Sequence, residues 1–267
     1  MFGHRRKHRQ QLLEQSLPAK WLAIVERNVP YYRTLDPGEQ QQLHGLIQIF
    51  LDEKRFEGCG GLEIGDEIRV TIAAQACMLL LNRDSEMYST LRTVLVYPHA
   101  YVSREPIRLP DGTVSEVGQV RLGQSWDRGS MVLSWDDVQS GASDIHDGHN
   151  VVFHEFAHQL DHESDRGPGA PRLARRSMYL AWARVLGHEY TALLDDIEHH
   201  RKTFLDQYGA TNAAEFFAVV TECFFEKPQQ LRARHPELYE QLQLFFQQNP
   251  ADRARGPGGE NSNDGDA

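Results

Sequence analysis

The chain has 267 residues, of which 40% are hydrophobic and 9% aromatic, so it can bury a sizeable core and is not a disordered chain. Its 28 Lys and Arg against 38 Asp and Glu give a formal net charge of −10, which argues against direct nucleic-acid binding because that needs basic surface. The longest apolar stretch, residues 70–81, is too short for a membrane span, and no apolar segment follows the basic residues of the N-terminus. We therefore expect neither a membrane protein nor a secreted one.

The three cysteines, Cys59, Cys77 and Cys223, are odd in number and widely spaced. Neither a disulfide framework nor a cysteine-based zinc site fits this pattern. Reduced thiols are the simpler interpretation, and they predict a cytoplasmic location.

Residues 1–88 are predicted to form a helical N-terminal region. Apolar residues recur at helical spacing over residues 12–25 and again over residues 43–51. A cluster of glycines at residues 58–61 ends the second helix, and a third is expected over residues 66–81.

A second domain is predicted over residues 89–249. Thr93–Tyr97 and residues 130–135 are short β-branched or alternating runs that predict strands, and residues 109–112 predict a turn between strands. The remainder of this domain has a helical pattern, so helices flank a small β region in an α+β arrangement. Residues 250–267 are rich in Pro, Gly, Asn and Asp, and a disordered tail is expected there.

The segment VVFHEFAHQLD, residues 151–161, contains the pattern H-E-x-x-H. On a helix His154 and His158 share one face, about 5–6 Å apart at Cβ, and can converge on one zinc ion. Glu155 lies beside the first histidine and can take a proton from water held there. The flanking residues are apolar, so polar groups on this helix are costly unless paired or coordinated. The alternative is a helix whose histidines make ordinary hydrogen bonds.

Two histidines leave a catalytic zinc site incomplete, because such sites have three protein ligands and one open position. The longer metzincin pattern fails, since Asp161 and Ser164 stand where Gly and His are required. His162 lies about 12 Å along the helix axis from His154 and cannot easily share its ion. The third ligand is therefore expected from another helix.

Two acids of a downstream apolar helix compete for that role. Glu215 is placed at the helix start, but three residues after Asn212 it could instead reach back as a cap. Glu222 lies seven residues later on the same face. Spacing alone leaves Glu215, Glu222 and neither open.

Asp161 also lies on the ligand face, three residues after His158. A carboxylate there could hold an imidazole N–H and fix its tautomer. It could equally cap the helix end near Gly167 and Pro168, and both interpretations stay open.

Two elements together resemble a known family. His154-Glu155-Phe-Ala-His158, followed by Tyr208-Gly-x-Thr-Asn-x-Ala-Glu215-Phe-Phe-Ala, is similar to the Mlc titration factor A family of zinc peptidases and to the catalytic domain of anthrax lethal factor. The resemblance covers about residues 90–230. It implies a zincin-like domain with zinc held by His154, His158 and Glu215. It further implies that Glu155 is the general base and that Tyr208 stabilises the oxyanion, which leaves Glu222 behind the ligands or at the edge of the core.

The resemblance implies a zinc metallopeptidase that is aminopeptidase-like or acts on short peptides. In zincins an edge strand usually aligns the substrate by β-addition, and residues 131–135 are the candidate, with an interior strand as the alternative. The resembled family is also associated with binding a transcriptional repressor of sugar-uptake genes. A regulatory protein that titrates such a repressor is therefore the second hypothesis. Intact Glu155 and Tyr208 favour the enzyme, and an open zinc position disfavours a zinc store.

Overall fold

The structure is a computed structural model that describes residues 2–84, 86–108, 114–121, 123–126 and 129–253, with the backbone alone for residues 2–5 and 101–126. The predicted turn at residues 109–112 and residues 254–267 of the predicted tail lie outside the described residues. The helices are α1 Phe2–Glu14, α2 Ala19–Asn28, α3 Pro37–Glu53, α4 Asp66–Met78, α5 Trp135–Ser143, α6 Val151–His162, α7 Met178–Glu198, α8 Ala213–Glu226, α9 Pro228–Arg234, α10 Pro236–Phe246 and α11 Pro250–Arg253. The strands are β1 Arg55–Gly58, β2 Thr93–Tyr97, β3 Tyr101–Arg108, β4 Val114–Arg121, β5 Gly123–Trp126 and β6 Ser130–Ser134. Short 3-10 helices cover Pro30–Thr34 and Gln207–Ala210.

The α+β class predicted from the sequence is confirmed, and its main sheet has the strand order β1-β2-β6-β5. The first three strands are parallel, and β5 pairs with β6 antiparallel. Strands β3 and β4 form a separate antiparallel pair. Helices α5 and α6 pack against this small sheet.

The N-terminal helices are present, with a boundary that the apolar spacing did not predict. Pro18 divides the first apolar run into α1 and α2, because proline cannot donate the backbone hydrogen bond of a helix interior. Helix α3 begins at a capping box, in which Asp36 accepts from the Glu39 N–H at 2.9 Å and Glu39 accepts from the Asp36 N–H.

Strand β1 was not predicted, and it joins the N-terminal region to the sheet. Its four residues pair in parallel with β2, from Arg55 opposite Thr93 to Gly58 opposite Val96. One cluster of buried apolar side chains includes residues from both regions, such as Phe50 and Phe156, whose ring centroids lie 5.7 Å apart. The helical N-terminal region and the remainder of the chain therefore share a hydrophobic core.

The candidate edge strand was placed wrongly. Strand β6 is paired on both sides, by β2 and by β5, so its backbone groups are already bonded. The edge next to α6 is β5. Trp135, which the strand prediction included, is the first residue of α5, whose start is capped by Ser134.

A disordered tail was predicted from residue 250 onward, but residues 250–253 form the short helix α11. In α11, Ala251 is fully buried, and Arg253 forms an ion pair with Glu39 of α3. Among the described residues, no helix combines the length and the apolar character that a membrane span requires.

Candidate active site

Helix α6 begins at Asn150, which fixes the position of the histidines. The Asn150 side-chain oxygen accepts from the N–H groups of Val152 and Phe153, at 3.1 and 3.0 Å. Its amide group donates to Gln75 and to the carbonyl of Gly141, so this cap is held from two other helices. A buried Asn that satisfies the orphan donors of the first turn stabilises the helix start by about 1 kcal/mol.

Three side chains from two helices meet at one point. The Nε2 atoms of His154 and His158 are 3.3 Å apart, and Glu215 Oε2 lies 3.0 Å from the first and 3.3 Å from the second. The three side chains retain only 15%, 12% and 18% exposure. A tetrahedral ion with ligand distances of about 2.0–2.1 Å holds its donor atoms about 3.3 Å apart. Two nitrogens and one carboxylate oxygen at this spacing fit a zinc ion.

Helix α8 presents Glu215 through its first turn. Asn212 caps this helix by accepting from the N–H groups of Ala214 and Glu215, at 2.9 and 3.0 Å. The Glu215 carboxylate reaches the histidines, so it does not act as the capping group that its spacing also allowed. A second group of possible ligands among the described residues, Asp195, Glu198 and His199, is exposed at the C-terminal end of α7.

The carboxylates around His154 favour a positive charge. Burial disfavours the imidazolium, but hydrogen bonds to Glu215 and Glu222 outweigh it and raise the pKa of His154 to about 10. Burial also opposes ionisation of Glu215, yet its bonds to the two histidines lower its pKa to about 2. A cation at this point therefore compensates buried carboxylates, and a metal ion would replace the proton on the imidazole.

Glu155 is buried next to the convergence point. Glu155 is only 6% exposed, and its Oε2 has no hydrogen-bond partner among the described residues. Burial raises the pKa of this carboxyl, while the two neighbouring histidines lower it. A buried carboxylate with an unpaired oxygen is costly in a purely structural role.

Tyr208 lies on the solvent side of His154. Its ring centroid is 5.9 Å from that of His154, and the residue is 55% exposed. It belongs to the short helix Gln207–Ala210, which is capped by Asp206 through a 2.7 Å bond from the Tyr208 N–H. The phenol is thus carried by a rigid turn directly before α8.

Glu222 binds the opposite side of the His154 ring. Its Oε1 lies 2.6 Å from Nδ1, and its Oε2 accepts from the Asn150 N–H at 2.6 Å. A carboxylate on Nδ1 holds the ring proton there and leaves Nε2 free to bind a metal. The same side chain fixes both the ring and the start of α6.

The chain matches the family described as glucose-regulated metallo-peptidase M90 over residues 3–247. The chain belongs to the M90 family of metallopeptidases. It is 46% identical over 238 residues to an uncharacterised protein of Synechocystis, with 88% of this chain and 86% of that protein covered. It is also similar to two proteins named Mlc titration factor A. The Klebsiella pneumoniae protein is 34% identical over 85% of this chain and 86% of its own, and the Yersinia pestis protein is 31% identical over 89% and 87%.

The resemblance to the Mlc titration factor A family is confirmed by these matches. Because M90 is a family of metallopeptidases, membership also implies a metal ion. The residues that the resemblance assigned to the metal, His154, His158 and Glu215, are the ones that converge. Glu155 and Tyr208 both lie beside them. Five residues from three sequence segments therefore form one cluster in this M90 chain.

Asp161 binds a loop that packs against the start of α8. Its Oδ2 accepts from the Gly169 N–H at 2.7 Å, so it binds the loop after α6, which neither of the two interpretations of this residue had predicted. Gly169 has a φ of +76°, and a Cβ there would come within 2.6 Å of the Ala213 carbonyl. Asp161 thus fixes a loop that packs against the first residue of α8, two residues before Glu215.

The family resemblance left Glu222 behind the ligands or at the edge of the core, and its bond to His154 Nδ1 places it behind a proposed ligand of this M90 chain. Spacing placed Glu222 on the ligand face and offered it as a rival ligand. The two nitrogens of the His154 ring contact different acids of the same helix, Glu215 at Nε2 and Glu222 at Nδ1. This arrangement depends on how α6 and α8 cross, which spacing along the sequence does not show. The asparagine directly before the apolar run was the available signal for the cap at Asn150.

Proposed function

We propose that this protein is a zinc-dependent peptidase in which His154, His158 and Glu215 hold the metal. The observation that carries the proposal is the convergence of three ligand atoms at 3.0–3.3 Å, with the buried Glu155 beside them. Zinc is favoured among divalent ions because two imidazoles and one carboxylate form one of its usual catalytic ligand sets.

Each side chain of the site has a separate role in the proposed hydrolysis. Zinc, when bound, supplies a Lewis acid that polarises the scissile carbonyl and lowers the pKa of water. Glu155 accepts the proton of the attacking water, because its Oε2 has no described partner, and later delivers it to the leaving amine. Burial keeps this carboxyl readily protonated between the two transfers. Glu222 holds the His154 ring in a fixed tautomer throughout.

The phenol of Tyr208 stabilises the negative charge that develops on the scissile carbonyl oxygen. We predict that Tyr208→Phe leaves zinc binding unchanged and lowers kcat by about 10²-fold, the usual loss for one oxyanion donor. The ring itself remains against His154, so folding is preserved. Steady-state kinetics and metal content measured on the same preparations check this. An unchanged kcat would remove Tyr208 from the mechanism.

The substrate is aligned along β5. This strand is the sheet edge next to α6 and pairs only with β6 among the described residues. An extended peptide can add to such an edge through main-chain hydrogen bonds. We propose aminopeptidase-like cleavage or cleavage of short peptides, in line with the family resemblance.

Metal analysis tests the proposed zinc site. We predict about one zinc per chain in the purified protein and its loss in His154→Ala and His158→Ala. His162→Ala is the matched control, since this exposed histidine lies on the same helix outside the three-residue cluster. Zinc retained in both ligand variants, or lost equally in the control, would refute the ligand assignment.

A second candidate role is binding of a transcriptional repressor. It is favoured by the similarity to proteins named Mlc titration factor A. Such binding is compatible with peptidase activity, and both roles fit a cytoplasmic protein with its three cysteines unpaired. Co-purification with a Mlc-like repressor, compared between wild type and Glu155→Gln, separates binding from hydrolysis.

A further inference from the structure

A cavity of about 400 Å³ lies beside the short segment that leads to Tyr208. Its lining includes Val219 and Cys223 of α8, and Gln207, the residue before Tyr208. Val219 lies one helical turn after Glu215, and the Cβ position of Gly209 is only 3.4 Å from its side chain. The cavity therefore lies next to the segment that carries Tyr208 and one helical turn from Glu215 on α8. A substrate bound across Tyr208 would enter the cavity.

The lining of the cavity includes one lysine. It is Lys227, the half-buried residue that ends α8, and its ammonium group lies against Gly148 of the loop before α6. No ion pair links Lys227 to another residue in the described part of the chain. An ammonium held at the wall of a cavity attracts an anionic group.

The carboxylates near Lys227 have other partners. Asp206 also lines the cavity, but it accepts from the Tyr208 N–H at 2.7 Å and lies 3.8 Å from His149 Nε2. Glu226 Oε2 accepts from the Gly148 N–H at 3.0 Å, and burial raises the pKa of this acid. Because neither acid forms an ion pair with Lys227 among the described residues, the positive charge of Lys227 can bind an anionic ligand.

We propose that this cavity binds a carboxylate of the peptide substrate, with Lys227 as its partner. The inference rests on the proposed peptidase function and names the substrate class: short peptides with a free C-terminus, or peptides with an acidic side chain near the scissile bond. Glu215 and Lys227 are twelve residues apart, or about 18 Å along α8. An extended peptide advances about 3.3 Å per residue. The carboxylate thus lies within roughly five residues of the cleaved bond.

Peptide pairs of equal length test the proposal. One pair has a free or an amidated C-terminus, and a second, amidated pair has Glu or Gln at successive internal positions. KM and kcat are measured with the full-length zinc protein, and Kd is measured by calorimetry with the Glu155→Gln variant. We expect the carboxylate peptide of at least one pair to bind about tenfold more tightly with kcat nearly unchanged. The pair that shows this difference identifies which carboxylate enters the cavity.

Lys227→Met should reduce that ratio to about one, and Lys227→Arg should retain it. Lys202→Met is the matched control, because it removes one exposed lysine next to the cavity residue Thr203. If Lys227→Met does not fold, Lys227→Gln replaces it. Equal affinity within every pair in the wild type, or a preference that persists without Lys227, would overturn the inference. Absence of hydrolysis for all peptides would instead refute the peptidase function, while the calorimetric ratios still decide the role of Lys227.

Discussion

Glu155→Gln is expected to retain zinc and to lose about 10²–10⁴-fold in kcat. The substitution keeps the shape of the side chain but removes its ability to accept a proton, which is the usual contribution of a general base. Metal binding should persist, because the three convergent ligand atoms belong to other residues. Removing a buried carboxylate with an unpaired oxygen should also leave the protein at least as stable to heat.

Hydrolysis of a short peptide, metal content and thermal unfolding measured together check this expectation. Glu163→Gln is a suitable control, because this acid lies directly after α6 and bonds to the Ser89 N–H, away from the ligands. Equal peptidase activity in Glu155→Gln and wild type would make repressor binding the leading function. Loss of zinc in Glu155→Gln would mean that this residue is a ligand.

Glu215→Gln and Glu222→Gln should both weaken zinc binding, to different extents and for different reasons. Glu215→Gln replaces a charged ligand by a neutral amide, and a loss well beyond the 10–100-fold typical of outer partners is expected. Glu222→Gln can place an amide N–H against His154 Nδ1, which moves the ring proton to Nε2, the atom that faces Glu215. A loss of about 10–100-fold in affinity follows.

Zinc titration of the two variants distinguishes them. Glu226→Gln is the matched control on the same helix: burial raises the pKa of Glu226 to about 9, so glutamine replaces a group that is already neutral at pH 7. Its zinc affinity should equal that of the wild type. If Glu222→Gln releases the metal while Glu215→Gln holds it, the two acids have exchanged roles and the proposed ligand set is wrong.

The sequence was most informative where the structure is local. Residues four apart on a helix must share a face, so H-E-x-x-H brings two imidazoles together whatever surrounds it. Capping residues such as Asn212 are equally local, because they bond within their own first turn. Strand β1 was not predicted, because its four residues include only one partly buried side chain and so show no alternation of apolar and polar residues. Its strand conformation depends on pairing with β2.

The sequence by itself predicted the α+β class, which the structure confirms, and it suggested the histidine pair, the neighbouring Glu155 and a proposed third ligand from another helix. Spacing alone left Glu215 and Glu222 as rivals on one face of α8, and the family resemblance favoured Glu215. The tertiary structure shows the two contacts themselves, Glu215 at Nε2 and Glu222 at Nδ1 of His154, because they depend on how α6 and α8 cross. It also placed β5, and not β6, at the edge of the sheet formed by the described strands, since strand order depends on pairing between distant segments. The cavity at Lys227 has the same origin: it lies where α8 and the loops before α6 and before Tyr208 meet, and no single segment encodes it.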